Sequence, residues 1–233
     1  MTPGDSRRAP VREALGIAML VVAALALNRL GADIAIANVA YDAAARTFRW
    51  RDHPLLAFLL HDAARWLSAA LVVVLVALLA ASRRNALRPW RPALAFACVA
   101  ALAAAGTVAL LKSLSAHSCP WDLARYGGSA AFFPFLAAVP PEAGPGRCAP
   151  SGHASTGFMW IAAIYALRRS PLAQSRRAAL HRPLAVGVIT FSAAVSLAQV
   201  ARGAHFLSHT LLTGALCWAV ALALDRTWPA QQG

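Results

Sequence analysis

Three side chains in this sequence have the types and positions needed for chemistry on a phosphate group. Lys112, the only lysine of the chain, ends an apolar run, and His153 and His205 begin two later apolar runs. A neutral imidazole can attack phosphorus, and a second, protonated imidazole can protonate the leaving oxygen. Lys112 and Arg202, three residues before His205, can bind anionic phosphate oxygens. These residue types therefore point to phosphoryl transfer.

The stretch Pro150-Ser151-Gly152-His153 has the residues expected at the first turn of a helix. Proline and serine favour a helix start, and Ser151 is the predicted N-cap. Free backbone amides and the helix dipole at such an end favour an anion, and glycine allows the backbone to approach it closely. The sequence therefore predicts a phosphate-binding helix start with His153 at its mouth.

The composition indicates that membrane helices position these residues. Hydrophobic residues make up 59% of the 233-residue chain and charged residues 13%, and the mean hydropathy is +0.56. Six apolar segments approach the roughly 20 residues that a membrane helix needs. They lie at about residues 14–31, 66–82, 93–114, 153–168, 183–201 and 206–224. We therefore expect one all-α integral membrane domain, a six-helix bundle spanning residues 1–233.

The distribution of arginine predicts the orientation of this bundle. Arginines cluster before the first segment, in the second and fourth connections, and after the last segment. By the positive-inside rule, both termini then lie in the cytoplasm. Lys112, His153 and His205 consequently meet at the outer, periplasmic face. The net charge of +13 is mostly a topology signal, so nucleic acid is not an expected partner.

The stretch at about residues 32–65 connects the first two segments on the outer side. Its aromatic residues, including Trp50 and Trp66, and its alternating charges favour an interfacial helix with an aromatic anchor. Four of its polar residues can form an outer polar network, but charge pairs on the helix surface are the favoured interpretation: Asp52, His61, Asp62 and Arg65.

The motifs resemble those of the type 2 phosphatidic acid phosphatase superfamily, which includes membrane lipid phosphatases and vanadium haloperoxidases. The signature of that family is K-x6-R-P, then P-S-G-H, then S-R-x5-H-x3-D. Lys112 and Pro120 match the first block, residues 150–153 match the second completely, and His205 matches the histidine of the third. The resemblance covers about residues 60–224 and shares the six-helix topology.

The resemblance also implies a role for each matched residue. His205 is the expected nucleophile that forms a phosphohistidine, and His153 is the expected general acid. Lys112, Ser151 and Gly152 are the expected ligands of the phosphate oxygens. Neither a metal ion nor another cofactor is required by this chemistry.

Three positions depart from the family pattern. Cys119 replaces the arginine of the first block, Gln199 replaces the arginine of the third, and His209 replaces its aspartate. Arg202 lies nearly one helical turn after Gln199 and can return a guanidinium to the phosphate. The family aspartate would orient the nucleophilic imidazole and stabilise its cation. A neutral His209 can accept the same hydrogen bond but carries no negative charge, so we retain it as a catalytic-site residue.

Two of the four cysteines flank motifs in the same outer loop. In an oxidising periplasm, Cys119 and Cys148 are candidates for a disulfide that holds the two phosphate-binding ends together. The alternative is a metal site formed by these cysteines with His117 and His209, but the spacing does not follow a common zinc pattern. We expect no metal.

The sequence thus predicts a multi-pass protein of a bacterial-type inner membrane that hydrolyses a lipid phosphate monoester or diphosphate. Its expected partners are the lipid phosphate substrate and the bilayer. Two alternatives remain open: a phosphotransferase of the same family, and a non-catalytic protein that binds or transports lipid phosphates. Four lipid substrates also remain open: phosphatidic acid, phosphatidylglycerophosphate, undecaprenyl diphosphate and the phosphates of lipid A.

Overall fold

The computed structural model describes residues 3–84 and 86–229 and is mostly helical. Its α-helices are α1 (Pro3–Arg29), α2 (Ala32–Ala40), α3 (Ala64–Ala81), α4 (Arg91–Leu114), α5 (Gly152–Phe158), α6 (Ile161–Ala166), α7 (Gln174–Ala201) and α8 (Leu207–Thr227). A two-stranded hairpin, β1 (Tyr41–Asp42) and β2 (Thr47–Phe48), follows α2. A π-helical segment, Leu55–Ala63, leads directly into α3.

Five helical stretches within the described residues are long and apolar enough to cross a membrane. They are Val11–Arg29, Leu55–Ala81, Arg88–Leu114, Gln174–Ala201 and Leu207–Thr227. Large apolar side chains on α3, such as Val73 and Val74, are exposed, as expected where lipid rather than protein covers a helix. The structure therefore has the helical content and the candidate membrane spans expected of a helical membrane protein.

The predicted segment at residues 153–168 forms two short helices, α5 and α6, separated by a tight turn at Met159–Trp160. The turn has the three-residue spacing of a 3₁₀ helix, because the Trp160 amide donates to the Gly157 carbonyl at 3.1 Å. Neither piece is long enough to be counted as a membrane span by itself.

The predicted interfacial helix at residues 32–65 was wrong. This stretch instead forms α2, the β-hairpin and the π-helical segment. The second membrane helix consequently begins at Leu55, about three turns before the predicted start at residue 66. Hydropathy missed these turns because His61, Asp62 and Arg65 interrupt the apolar run.

Small side chains let the helices at the centre of the bundle approach closely. The face of α4 that packs against α6 and α8 is built from buried alanines at positions 97, 100, 101 and 104. Ile161 and Tyr165 of α6 and Cys217 of α8 complete the same cluster. Close packing of small residues is the main source of helix association in a membrane.

Ion pairs join several helix ends at the end of the bundle opposite Lys112. Arg168, at the end of the α6 segment, donates to Asp225 of α8 at 2.8 Å and to Glu13 of α1 at 3.2 Å. Arg169 also donates to Asp225, at 2.6 Å. The part of α1 around Glu13, the end of the α5–α6 segment and the end of α8 therefore lie together.

The two ends of the loop between α4 and α5 are hydrogen-bonded to each other. The Arg147 amide donates to the Ser115 carbonyl at 2.7 Å, and the Cys148 amide donates to the His117 carbonyl at 2.9 Å. Cys119 and Cys148 form a disulfide bond, with Cα atoms 5.2 Å apart. This closure places the start of α5 beside the end of α4.

Replacing Gly157 with alanine is expected to destabilise the fold, because the new methyl group would lie 2.6 Å from the Ser192 Cα atom of α7. Overpacking of this kind costs about 1–3 kcal/mol. The melting temperature of the detergent-solubilised protein should therefore fall by several degrees. The control is Gly106→Ala on α4, where no described atom lies within 4 Å of the new methyl group. An equal melting temperature for the two variants would contradict this packing.

Candidate active site

The end of α4 and the start of α5 meet at Lys112. A methyl group added at Gly152 would lie 3.4 Å from Cδ and 3.8 Å from Nζ of Lys112, so the ammonium lies beside the first turn of α5. Ser151 is the N-cap of α5, as predicted, and its Oγ accepts a hydrogen bond from the Ala154 amide at 3.2 Å. A lysine beside a helix start combines a full positive charge with backbone amide donors, an arrangement suited to an anion.

The start of α5 is also fixed to α8. The Ser151 amide donates to the His209 carbonyl at 3.2 Å, and the Thr213 hydroxyl donates to the Ser151 carbonyl at 3.0 Å. Ser151 and Thr213 are fully buried. These bonds hold the residues of the second and third motifs at one depth in the bundle.

His153 and His205 are in direct contact. Nδ1 of His153 lies 3.2 Å from Nε2 of His205, at hydrogen-bonding distance. The other nitrogen of His205, Nδ1, lies 3.2 Å from the sulfur of Cys148. Because this sulfur belongs to a disulfide and has no proton to donate, only Nδ1–H of His205 can be the donor in that contact. The same tautomer leaves the lone pair of Nε2 facing His153.

Burial keeps the His205 imidazole neutral. His205 is only 2% exposed, and desolvation lowers its pKa well below the ordinary value for histidine. The charges of His209, His153 and Lys112 lower the pKa further, and the Cys148 carbonyl acts in the opposite direction. A neutral imidazole with a free lone pair has the form required of a nucleophile.

The side chains of Arg202 and Gln199 are hydrogen-bonded to each other at the end of α7. Nη1 of Arg202 donates to the Gln199 side-chain carbonyl at 3.3 Å, and its Nε donates to the Arg51 carbonyl at 2.8 Å. Gln199, which replaces the family arginine, is fully buried. The guanidinium of Arg202 lies close enough to His153 for its charge to act on that imidazole. That Arg202 compensates for the lost arginine stays a prediction.

His209 is buried beside His205 but does not bond to it. Its ring centroid lies 6.0 Å from that of His205 and 5.3 Å from that of Phe206. Its Nδ1 has no hydrogen-bond partner among the described residues. The His205 nitrogen that faces away from His153, Nδ1, instead contacts the disulfide sulfur of Cys148.

The residues of the alternative metal site are arranged differently from that hypothesis. His117 stacks between Phe133 and Phe135, with ring centroids 4.3 Å and 4.7 Å away. The donor atoms that do gather within 4.8 Å of one another are those of Cys119, Cys148 and His205. The two sulfurs are bonded to each other, so in this oxidised form neither is a thiolate ligand.

Two residues near the site were missed by the sequence reasoning. His61 was interpreted as a surface charge, yet its ring centroid lies 4.3 Å from that of His153. Asp33 of α2 is 1% exposed, and its carboxylate accepts hydrogen bonds from the Ser208 amide, at 3.1 Å, and from the Ser208 hydroxyl. Asp33 thereby caps α8, whose own N-cap residue provides no side-chain bond. A lone acid in the apolar stretch "GADIAIANVA" was the available signal for Asp33.

The comparison with known families agrees with this geometry. A model described as the PAP2 superfamily matches residues 92–232, more than half of the chain. The matched range includes Lys112, the loop disulfide, His153 and His205, and it begins after the π-helical segment. No curated protein and no solved structure matches the chain.

Acid is expected to destabilise the protein through its buried histidines. Burial lowers the pKa values of both His117 and His205 in the fold. Above about pH 6.5 both residues are neutral in the folded and in the unfolded chain, so their protonation does not lower the free energy of unfolding there. Below that pH only the unfolded chain takes up these protons, so the melting temperature should fall. Between about pH 7.5 and about pH 5.5, the melting temperature of the His205→Gln protein should fall less than that of the wild type.

His181→Gln is the control, because His181 is exposed on α7. This variant should follow the wild-type dependence on pH. A His205→Gln protein that lost as much stability in acid as the wild type would contradict a buried, neutral His205.

Proposed function

The chain belongs to the PAP2 superfamily, and on this premise we propose that it is a membrane lipid phosphatase. It hydrolyses a lipid phosphate monoester or diphosphate at the outer leaflet through a phosphohistidine intermediate. Membership of the family supports phosphoesterase activity in general. The observation that carries the specific proposal is the contact between Nδ1 of His153 and Nε2 of His205 at the start of α5.

In the first chemical step, the terminal phosphoryl group of the substrate enters between the two imidazoles. Nε2 of His205 attacks phosphorus, a P–N bond forms, and the bond from phosphorus to the leaving oxygen breaks. The electron pair of that bond stays on the leaving oxygen, which takes the proton from His153. Lys112, Arg202 and the amides at Ser151–Gly152 bind the non-bridging oxygens, where negative charge is concentrated.

In the second step, water attacks the phosphohistidine. The oxygen of water bonds to phosphorus while His153, now neutral, takes a proton from the water. The electron pair of the P–N bond returns to Nε2 of His205, and inorganic phosphate leaves. Both imidazoles are then restored to their starting protonation states.

In this mechanism the disulfide performs one of the two roles of the family aspartate, which is to orient the nucleophilic imidazole. By accepting the Nδ1–H bond, the sulfur of Cys148 holds His205 in the tautomer whose Nε2 can attack. Sulfur is a weak, uncharged acceptor, so it supplies orientation without stabilising an imidazolium strongly.

The same proposal includes six membrane crossings in a single domain over residues 1–233, with both termini cytoplasmic. The helical stretch from Gly152 to Arg169 is about 27 Å long at 1.5 Å per residue, close to the thickness of the hydrocarbon core. It runs from the site to the ion pairs at the opposite end of the bundle. Together with the five long helices it gives an even number of crossings. The arginine-rich connections support a site on the periplasmic side of a bacterial inner membrane.

Replacing either imidazole is expected to abolish phosphate release. His205→Gln removes the nucleophile, and His153→Gln removes the general acid, whose contribution is typically about 10²–10⁴-fold. The measurement is inorganic phosphate released from a panel of lipid phosphates by the purified, detergent-solubilised protein. His53→Gln, an exposed residue before the π-helical segment, is the matched control and should retain wild-type activity.

The same assay separates the alternatives. A phosphotransferase would move labelled phosphate to an acceptor lipid and release little of it to water. A non-catalytic binder would release none, with or without the substitutions. Full phosphate release by folded His205→Gln protein would contradict the proposed nucleophile.

Reducing the disulfide is expected to slow catalysis. A reduced Cys148 thiol can donate its proton to Nδ1 of His205, which favours the tautomer with a proton on the attacking nitrogen. Cys119 is partly exposed, so a phosphine reductant has access to the bond. The rate of phosphate release, measured with a count of free thiols, should fall at least several-fold as the two thiols appear.

A variant that lacks the two other cysteines, Cys98→Ala with Cys217→Ala, should respond to the reductant as the wild type does. Both of these cysteines are buried and free. Unchanged activity after complete reduction of the disulfide would show that the sulfur contact does not orient the nucleophile.

A further inference from the structure

The loop between α4 and α5 contains an uncharged, apolar stretch at the end of the bundle where the site lies. Residues 129–141, "SAAFFPFLAAVPP", include no charged side chain. Leu136 is 84% exposed and Val139 is 58% exposed. Exposed apolar residues that lie close together in an uncharged segment mark an interaction surface, because water solvates them poorly.

The backbone conformation of Leu136 is a second, independent observation. The Ala137 amide donates to the Pro134 carbonyl at 3.2 Å, which closes a turn with Leu136 at its third position. The φ angle of Leu136 is +65°, in the left-handed region that glycine and asparagine adopt most readily. A leucine at this position is strained. Strain of this kind is a sign of a functional side chain, and Leu136 offers only hydrocarbon surface.

A hydrogen bond to α1 fixes the depth of this turn. The Phe135 amide donates to the side-chain carbonyl of Asn28 at 2.6 Å. Asn28 is fully buried and belongs to Val11–Arg29, the part of α1 that is able to cross a membrane. A loop residue that bonds to the last turn of a membrane helix lies at the edge of the hydrocarbon layer. Leu136 is the next residue, so its exposed side chain is within reach of lipid.

The apolar surface of the turn adjoins the exposed surface of α1. Leu30, which directly follows α1, is 82% exposed. Leu15, Met19 and Val22 are also exposed and lie on one face of α1, at the spacing of a helical stripe. In a membrane helix such a face is covered by lipid. Because the turn lies at the end of the same helix, the bilayer is favoured over a protein partner as its occupant.

The same turn is joined to the wall of the site. The ring of Phe135 lies 4.7 Å from that of His117 and 5.9 Å from that of His209, between ring centroids. Phe135 is buried, whereas Leu136 beside it is exposed. Two consecutive side chains therefore connect the interior of the site with the outer surface of the bundle.

We propose that the turn at residues 134–139 inserts Leu136 and Val139 into the hydrocarbon of the leaflet on which the site lies. The bilayer itself is the partner of this surface. Insertion holds Phe135, and with it the loop wall around His117, at the level of the membrane surface, where the phosphate of a lipid lies. The inference requires helices that span a membrane, as the proposed function does, but it is independent of the phosphohistidine chemistry.

The test is the environment of a nitroxide spin label at residue 136. Leu136→Cys would be made in the full-length protein with Cys98→Ala and Cys217→Ala, which keeps the disulfide, and placed in nanodiscs of phosphatidylethanolamine and phosphatidylglycerol. Electron paramagnetic resonance would measure collisions of the label with oxygen, which concentrates in hydrocarbon, and with a water-soluble nickel chelate. The ratio of oxygen to nickel collisions should be several-fold higher at residue 136 than at a residue in water.

Two residues of the same chain supply the reference values. Val73→Cys, at a side chain that is 68% exposed on the membrane helix α3, is the standard for lipid. Ala45→Cys, at the exposed turn of the β-hairpin beside Asp42, is the standard for water. Residue 136 should resemble Val73→Cys. Val139→Cys takes the place of Leu136→Cys if the latter does not fold, because Val139 lies outside the strained position.

Two results would overturn the insertion. A ratio like that of Ala45→Cys would show that the turn lies in water. A label shielded from both oxygen and nickel would show that protein, such as a second copy of this chain, covers the surface. Either result would leave the phosphatase proposal intact. A wild type that releases no phosphate would contradict the proposed function without changing what the spin label measures.

Discussion

The closure of the loop between α4 and α5 is the constraint on which the site depends. A single disulfide, Cys119–Cys148, ties the loop that follows Lys112 to the segment two residues before the P-S-G-H motif. The same sulfur contacts the buried histidine at the turn between α7 and α8. The disulfide, together with the hydrogen bonds of Ser151 to α8, therefore holds three parts of the chain, distant in sequence, at one depth in the bundle. Without it, Lys112 and the start of α5 would be separated by a long loop with a large entropy.

Burial in the bundle determines how these groups can work. The site contains Lys112, Arg202 and two imidazoles in contact, and it has no carboxylate at the family aspartate position. In such surroundings His205 stays neutral, because a further positive charge would be both desolvated and repelled. An anionic substrate changes this balance, since a phosphate placed among these groups favours the protonated form of His153. In the proposed mechanism, the site therefore gains its catalytic charge state when substrate binds.

The residues with a strong local signal could be predicted from the sequence. The lone lysine, the P-S-G-H helix start with its Ser151 cap, and the paired cysteines of the outer loop each have a local physical reason to be where they are. Residues whose role depends on tertiary contacts could not be predicted. His61 reaches His153 because a π-helical segment extends α3 beyond its hydropathy limit, and periodicity gives no sign of that extension. Asp33 caps a helix that begins 174 residues later, a pairing that only the packing of α2 on α8 creates.

The central claim is that His205 is the nucleophile, and a direct test is to trap the phosphorylated enzyme. The protein would be mixed briefly with a lipid phosphate labelled on its terminal phosphorus, quenched in alkali, in which phosphohistidine survives, and mapped by mass spectrometry. The account predicts one phosphate on the peptide that contains His205, and none on that peptide in His205→Gln protein. Phosphate found on another residue, or continued turnover with no phosphorylated enzyme at any time, would contradict it.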